Sequence, residues 1–265
     1  MGVPLLFILT GPSGVGKATV ARAVFDRVPR IAKVVTYATR PMRPGEKNHV
    51  TYHFVSPEEF ERKTRAGELF EWEKVYGDAC YGSPKNPFEN IPEGYDALLE
   101  IGVGGMQSYR EAFPDAVTIF LAPPSMDAIL DRIAKRGGQE TNLDNRLKGA
   151  FQMVDQVELY QYIIVNDRLE EAVAQLRELA KLHRRKKATG KLLRALRRLL
   201  AIDSNDLAMR EELIECLTRQ EDTEALLRER TALARAYRRQ ERFEEALYQY
   251  QQVLGKSPVN LELIG

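Results

Sequence analysis

GPSGVGKAT, residues 11–19, decides how the rest of the chain is read. An apolar run, Leu5–Leu9, precedes it and a helical segment, Ala18–Val28, follows. A strand, a glycine loop and a helix, in that order, are the setting of a phosphate-binding P-loop. Gly11, Gly14 and Gly16 permit the tight turn that points successive N–H groups at phosphate oxygens. Pro12, Ser13 and Val15 complete this cradle, and the helix start adds the positive end of its dipole. Lys17 supplies a point charge for the outer phosphates. One position breaks the pattern. The motif ends in Gly-Lys-Ser/Thr, whose hydroxyl binds Mg²⁺; here Ala18 takes that place. Thr19, one residue later, points elsewhere on a helix.

A chain of 265 residues holds one large or two moderate domains, and a hydrophobic share of 44% is enough for a core. A net charge of +1 gives no global case for binding nucleic acid or an acidic membrane. Cys80 and Cys216 lack metal-ligand spacing and form no disulfide framework, which suits a reducing compartment. The start MGVPLLFILTG has no basic leader and too short an apolar run to span a bilayer. The expected location is cytoplasmic.

Beyond the P-loop helix, Lys33–Ala38 reads as a second strand. TRPMRPGE, residues 39–46, is a Pro/Gly loop whose Arg40 and Arg43 can converge on one phosphate. Val50–Val55 reads as a strand with Tyr52 and Phe54 on one face. Ser56, Pro57 and Glu59 form the capping box of a helix that runs to Ala66 and stops at Gly67. Glu71 and Trp72 lie in an extended segment, and Tyr81–Pro84 reads as a turn. Ala97–Ile101 and Val117–Ala122 are apolar strands. Ser125 caps a helix over Met126–Lys135, Leu143–Val157 reads as a long polar helix, Ile163–Val165 as a last strand and Leu169–Leu182 as a closing helix. Strands alternating with helices predict an α/β fold, a parallel sheet with helices on both faces. Ligands then bind beyond the carboxyl ends of the strands, where Gly11–Lys17, Glu100 and Asn166 fall.

Over residues 3–182 the chain resembles the guanylate kinase family. The likeness rests on an ordered series: GPSGVGK, TRPMRPGE, YHFVSPEEFE, GELFEW, YGSP, LLEI, FLAPPS, the segment 136–147 and IIVNDRLEEA. It implies a P-loop NTPase fold over residues 1–182 with an inserted GMP-binding segment, 36–92, and a lid, 125–157. It implies transfer of the γ-phosphoryl of ATP to GMP with Mg²⁺. By the same resemblance, Arg40, Arg43, Tyr52 and Tyr81 hold the phosphate of GMP. Glu71 faces the guanine N1–H and exocyclic amine, and Thr36, Ser83 and Glu100 also touch the base. Lys17 reaches the ATP phosphates, and Asn166 lies near adenine. Arg136 and Arg146 are lid arginines on the transferring phosphoryl, with Arg132 a weaker lid candidate.

The chain departs from the family in places that bear on the metal. Ala18 lacks the hydroxyl, Gly102 stands where an aspartate usually follows the LEI segment, and Gly104 replaces a glutamine, so GVGG reads as flexible. An extra residue within GDACYG, 77–82, shifts the register near Tyr81 and Ser83. No protein ligand for the metal is therefore assigned, and a slow kinase is expected. The alternative is a catalytically weak nucleotide-binding scaffold whose tail binds a protein. Restoring Ser at 18 and Asp at 102 is expected to raise the rate.

A basic cluster, Lys181–Arg198, contains an expected linker at 183–190. Residues 191–265 then turn wholly helical. Leu233, Ala234, Tyr237, Ala246, Tyr250 and Pro258 match the signature spacing of a tetratricopeptide repeat, whereas Arg230 does not. About four helices in an irregular array are expected, of a kind that binds a protein or peptide.

Overall fold

The computed structural model describes residues 4–74, 79–134, 149–150, 152–204 and 206–255. It divides into two compact units, residues 1–180 and 181–265.

The first unit is built on β1, Leu6–Thr10, whose five residues are all buried. Phe7 and Leu9 pack into one core with Val20, Val24, Ala172 and Leu176. Leu6 and Ile8 pack into the other with Met106, Tyr109 and Phe120. A strand covered on both faces has no polar side to show, which is why LFILT reads as a continuous apolar run. Around it runs a parallel sheet in the order β2-β7-β1-β8-β9, with β2 Ile31–Lys33, β7 Asp96–Glu100, β8 Val117–Ala122 and β9 Tyr162–Val165. Helices α1 (Lys17–Arg27), α3 (Val103–Ala112) and α4 (Met126–Ala134) connect its strands. A second sheet has the order β4-β3-β6-β5, with β3 Tyr37–Ala38, β4 His53–Phe54, β5 Leu69–Lys74 and β6 Cys80–Pro84. It falls within the expected 36–92 segment. Helix α2, Pro57–Arg65, enters that segment with Ser56 Oγ accepting from the Glu59 N–H at 3.2 Å, and the chain leaves it through Gly67 at φ 65°.

Several elements differ from the sequence expectation. Lys33–Ala38 is not one strand: Lys33 pairs with Leu98 in the first sheet and Tyr37 with Gly82 and His53 in the second. The chain bends between them because its two ends satisfy their hydrogen bonds in different sheets. Strand β4 is only two residues long. YGSP is strand rather than turn, since β6 pairs with both β3 and β5. GVGG is the first turn of α3, with Gly102 at the N-cap. Burial of Met106 and Tyr109, both 0% exposed, overrides the poor helix propensity of the two glycines.

The closing helix, α5, spans Leu169–Ile202, so the stretch 183–190 expected as a linker is helical. Its Arg, Lys and Ala residues are good helix formers, and the lone Gly190 costs only about 1 kcal/mol. In the second unit α6 (Leu207–Gln220), α7 (Thr223–Arg239) and α8 (Phe243–Leu254) follow the end of α5. Asp206 caps α6 at Met209 N, 2.9 Å, and Asp222 caps α7 at Ala225 N, 3.1 Å. Leu196, Leu200, Leu213, Leu217, Leu233 and Tyr237 form their common core. Of the repeat-signature positions, Leu233, Ala234, Tyr237 and Ala246 are buried. Pro258 lies outside the described residues. No helix among the described residues is long and apolar enough to cross a membrane.

Candidate active site

The loop after β1 has the conformation its glycines allow: Gly11, Gly14 and Gly16 sit at φ 148°, 84° and 100°. Gly16 is the N-cap of α1. A side chain at Gly11 would meet the Leu121 carbonyl at 2.4 Å, so that glycine also sets how closely the loop lies on β8. The loop is held from beneath. Asn166 Nδ2 donates to the Val15 carbonyl at 2.7 Å, and Arg132 donates to the same carbonyl at 3.1 Å and to the Asn166 carbonyl at 3.0 Å. Arg132, read from sequence as a weak lid candidate, therefore braces the loop. Lys17 Nζ donates to the carbonyls of Gly11, 2.5 Å, and Pro12, 3.2 Å. The ammonium thus lies against the loop's own carbonyls. Ala18 and Thr19 are exposed on the first turn of α1.

The second sheet and its loops gather the arginine and tyrosines singled out in the sequence. Arg40 Nε donates to the Tyr81 hydroxyl at 3.0 Å, and its guanidinium lies over the rings of Tyr52 and Phe54 at 5.3 and 5.4 Å. Tyr52 and Tyr81 meet edge to face. Burial pushes the Tyr52 phenol up to about 12, so it stays a hydrogen-bond donor. Glu46, which sequence reasoning did not single out, accepts from Arg40 through both oxygens at 2.6 Å and from the Arg43 N–H at 2.8 Å. It shapes the arginine loop before any ligand arrives. The Arg43 side chain is exposed on that loop. Arg136 and Arg146 lie outside the described residues.

Glu71 on β5 accepts a hydrogen bond from the Ser83 hydroxyl on β6. Burial raises its pKa, the Ser83 bond opposes that, and Glu73 adds to it. Ser83 and Thr36 are buried, at 0% and 6% exposure. A Cβ at Gly105 would lie 2.8 Å from the Glu71 carboxyl carbon, so the start of α3 must be bare for Glu71 to occupy its place. Gly105 was missed in the sequence because nothing local marks it. Glu100, at the end of β7, is paired with Lys33 at 3.8 Å; burial raises its pKa, and Lys33 and Lys17 oppose that. Lys33 also lies over the Tyr52 ring at 5.1 Å, so it links Glu100 to the Arg40 cluster.

Among the described residues no three His, Cys, Asp or Glu side chains gather as a metal site. Two carboxylates, Glu73 and Glu100, lie within electrostatic reach of Lys17. An all-oxygen donor set of that size fits Mg²⁺, which keeps several waters and takes one or two carboxylates besides substrate phosphates. It fits a metal that arrives with its nucleotide better than one bound by the protein alone.

A glycine loop of the phosphate-binding kind thus shares one unit with a sheet and loops carrying a guanidinium, two phenols and a half-buried carboxylate. That arrangement suits two phosphorylated ligands. The guanylate kinase family model matches residues 4–182. A guanylate kinase of Symbiobacterium thermophilum is 45% identical over 177 residues, 66% of this chain and 83% of its own. One from Thermus thermophilus is 39% identical over 216 residues, 81% of this chain and 95% of its own. The crystal structure of guanylate kinase from Anaplasma phagocytophilum is similar at a TM-score of 0.56, with 33% identity, covering 70% of this chain and 87% of that one.

Proposed function

The chain belongs to the guanylate kinase family, and from that premise we propose that its cleft transfers the γ-phosphoryl of ATP to GMP, giving ADP and GDP. The single observation that carries the assignment to GMP is the part-buried Glu71–Ser83 pair beside the Arg40–Tyr81–Tyr52 cluster. The guanine edge offers two donors, N1–H and the exocyclic amine, which a carboxylate accepts together. Adenine offers no such pair there, so its binding leaves a buried charge unpaired.

Phosphoryl transfer needs alignment and charge neutralisation more than covalent chemistry. The N–H groups of the loop 11–17 and the Lys17 ammonium hold the outer phosphates of ATP. Arg40, Tyr52 and Tyr81, with Arg43 from the loop, hold the GMP phosphate. One of its oxygens attacks the γ-phosphorus while the bond to the β–γ bridging oxygen breaks and ADP leaves. Asn166 keeps the cradle in shape through Val15. Arg136 and Arg146 are proposed to reach the transferring group from the 125–157 segment. Mg²⁺ bound to ATP would neutralise phosphate charge, with Glu73 and Glu100 as oxygen donors toward it.

Ala18 and Gly102 favour a second reading, a slow or inactive nucleotide-binding scaffold. For the helical region 191–265 we propose contact with a protein partner; Phe243, Leu247 and Tyr248 on α8 are exposed at 64%, 58% and 54%. An ADP-release assay with GMP, AMP and UMP as acceptors separates the readings. GMP-dependent turnover is expected, with AMP and UMP near background, and equal rates with all three would sink the guanine assignment.

Gly105→Ala is expected to displace the Glu71 carboxyl and raise the Kd for GMP about tenfold, roughly one charged hydrogen bond. ADP affinity stays unchanged. Calorimetry with each nucleotide reads both, and an unaltered GMP Kd would mean that α3 yields without moving Glu71.

A further inference from the structure

Glu73 has no place in the acceptor site proposed around Glu71 and Ser83, yet it stands on the same strand as Glu71. It lies two residues beyond Glu71 on β5, so both carboxylates leave the strand on one face. Both are directed at the start of α3. A Cβ at Gly102 would lie 2.8 and 3.0 Å from the two carboxylate oxygens of Glu73. Gly102 itself has φ −77° and ψ 176°, extended backbone that any residue adopts. Nothing in the main chain asks for glycine there; the carboxylate end of Glu73, from another strand, lies where a side chain would start and would have to shift for one. This corner follows β7, and β7 is the neighbour of β1, whose loop carries Lys17.

A solvated strand-end charge is the ordinary fate of such a residue, and more than a third of Glu73 is exposed. Glu73 nevertheless lies against a position that lacks a side chain, as Glu71 does at Gly105. Its electrostatic setting is also uneven. Burial raises its pKa, although partial exposure weakens that effect, and Lys17 favours the charged form. Glu71 is a second negative neighbour. A carboxylate in a cleft that receives phosphates is repulsive unless a cation comes with them.

We propose that Glu73 and Gly102 are an exchanged pair: β5 delivers the carboxylate that position 102 lacks, and there it holds the hydrated Mg²⁺ of the nucleotide complex beside Lys17. Glu73 is then a positioning residue for the metal and the outer phosphates. This rests on the kinase reading above. It also reverses one expectation from the sequence, because Asp at 102 now collides with Glu73 instead of repairing the site.

The test uses the full chain as wild type, Glu73→Gln, Glu73→Ala, Gly102→Asp and the double variant Glu73→Ala/Gly102→Asp. ADP binding is measured by calorimetry in excess EDTA and in saturating Mg²⁺, with a thermal melt to confirm folding. Mg²⁺ should tighten ADP binding to the wild type. In Glu73→Gln that enhancement should shrink by about tenfold, the lower end of supporting-residue losses at metal sites, while affinity in EDTA holds or improves. Gly102→Asp alone should weaken Mg²⁺–ADP binding, and in the Glu73→Ala background it should restore binding to within about threefold of wild type, since contacting residues couple. An equal Mg²⁺ enhancement in wild type and Glu73→Gln overturns the proposal. So does an aspartate at 102 that acts alike with and without Glu73. If Gly102→Asp does not fold, the Glu73→Gln comparison decides alone. None of these readouts requires GMP turnover, so failure of the kinase reading is registered separately by the acceptor assay.

Discussion

Lys17→Met is expected to leave a folded protein whose turnover falls by about 10²–10³-fold, the loss typical of one preorganised group that stabilises transition-state charge. The size follows from where the ammonium sits. It is held over the loop by the carbonyls of Gly11 and Pro12, in the field of Glu73 and Glu100. Half-buried itself, it acts on developing phosphate charge with less screening than in water. Methionine keeps the volume of the stem and removes only the charge and its donors. The measurement is kcat at saturating ATP and GMP, with a thermal melt as the folding control. A loss below about threefold would place the ATP phosphates away from this loop.

Glu71→Gln is expected to raise the Kd for GMP about 100-fold, two hydrogen bonds to a charged acceptor being worth about 3 kcal/mol or more together. The amide keeps one acceptor and turns a donor toward guanine's own donors. Selectivity over AMP should fall by a similar factor. The pH dependence carries a sign. Burial holds the Glu71 pKa above the ordinary 4.5 in the free protein. Guanine's donors favour the ionised form and lower the pKa in the complex. Between those two pKa values GMP binding therefore releases protons, and GMP affinity falls as pH drops through the raised value. Calorimetry in buffers of different ionisation enthalpy reads the proton count, and the glutamine variant should show none from this site. Proton uptake by the wild type would contradict the role given to Glu71.

The residues of the P-loop were legible because their chemistry is local: the turn, the N–H groups and the lysine all lie within Gly11–Lys17. The parallel sheet was legible for a related reason, since β1, β7 and β8 are apolar runs between turn residues. The second sheet was expected only as an inserted segment implied by the resemblance. It includes two-residue strands, β3 and β4, joined across long separations, and such strands leave no periodic signal. YGSP misled because a Gly-Pro pattern marks a turn unless partners on both sides claim its backbone. The 183–190 stretch misled because basic residues that suit a solvated linker also suit a solvated helix face.

Glu73 and Gly105 were missed because their meaning lies in contacts between elements distant in sequence. Glu46 is a different case: its partners Arg40 and Arg43 are only six and three residues away, and no motif marks the contact. The alternation of Glu71, Trp72 and Glu73 was visible, as were the glycines at 102 and 105. Only packing of β5 against α3 shows that the two pairs answer each other. The apparent defect at Gly102 therefore looks different in three dimensions. The site lacks an aspartate at one position and holds a glutamate in the same space.

The most direct test of the account is GMP-dependent ADP release by the full chain across a Mg²⁺ titration at saturating ATP and GMP. Turnover that rises with Mg²⁺ to a plateau is the expected result, because the nucleotide brings the metal and the protein needs only to receive it. No GMP-dependent turnover at any Mg²⁺ concentration would contradict the account and leave a nucleotide-binding scaffold in its place.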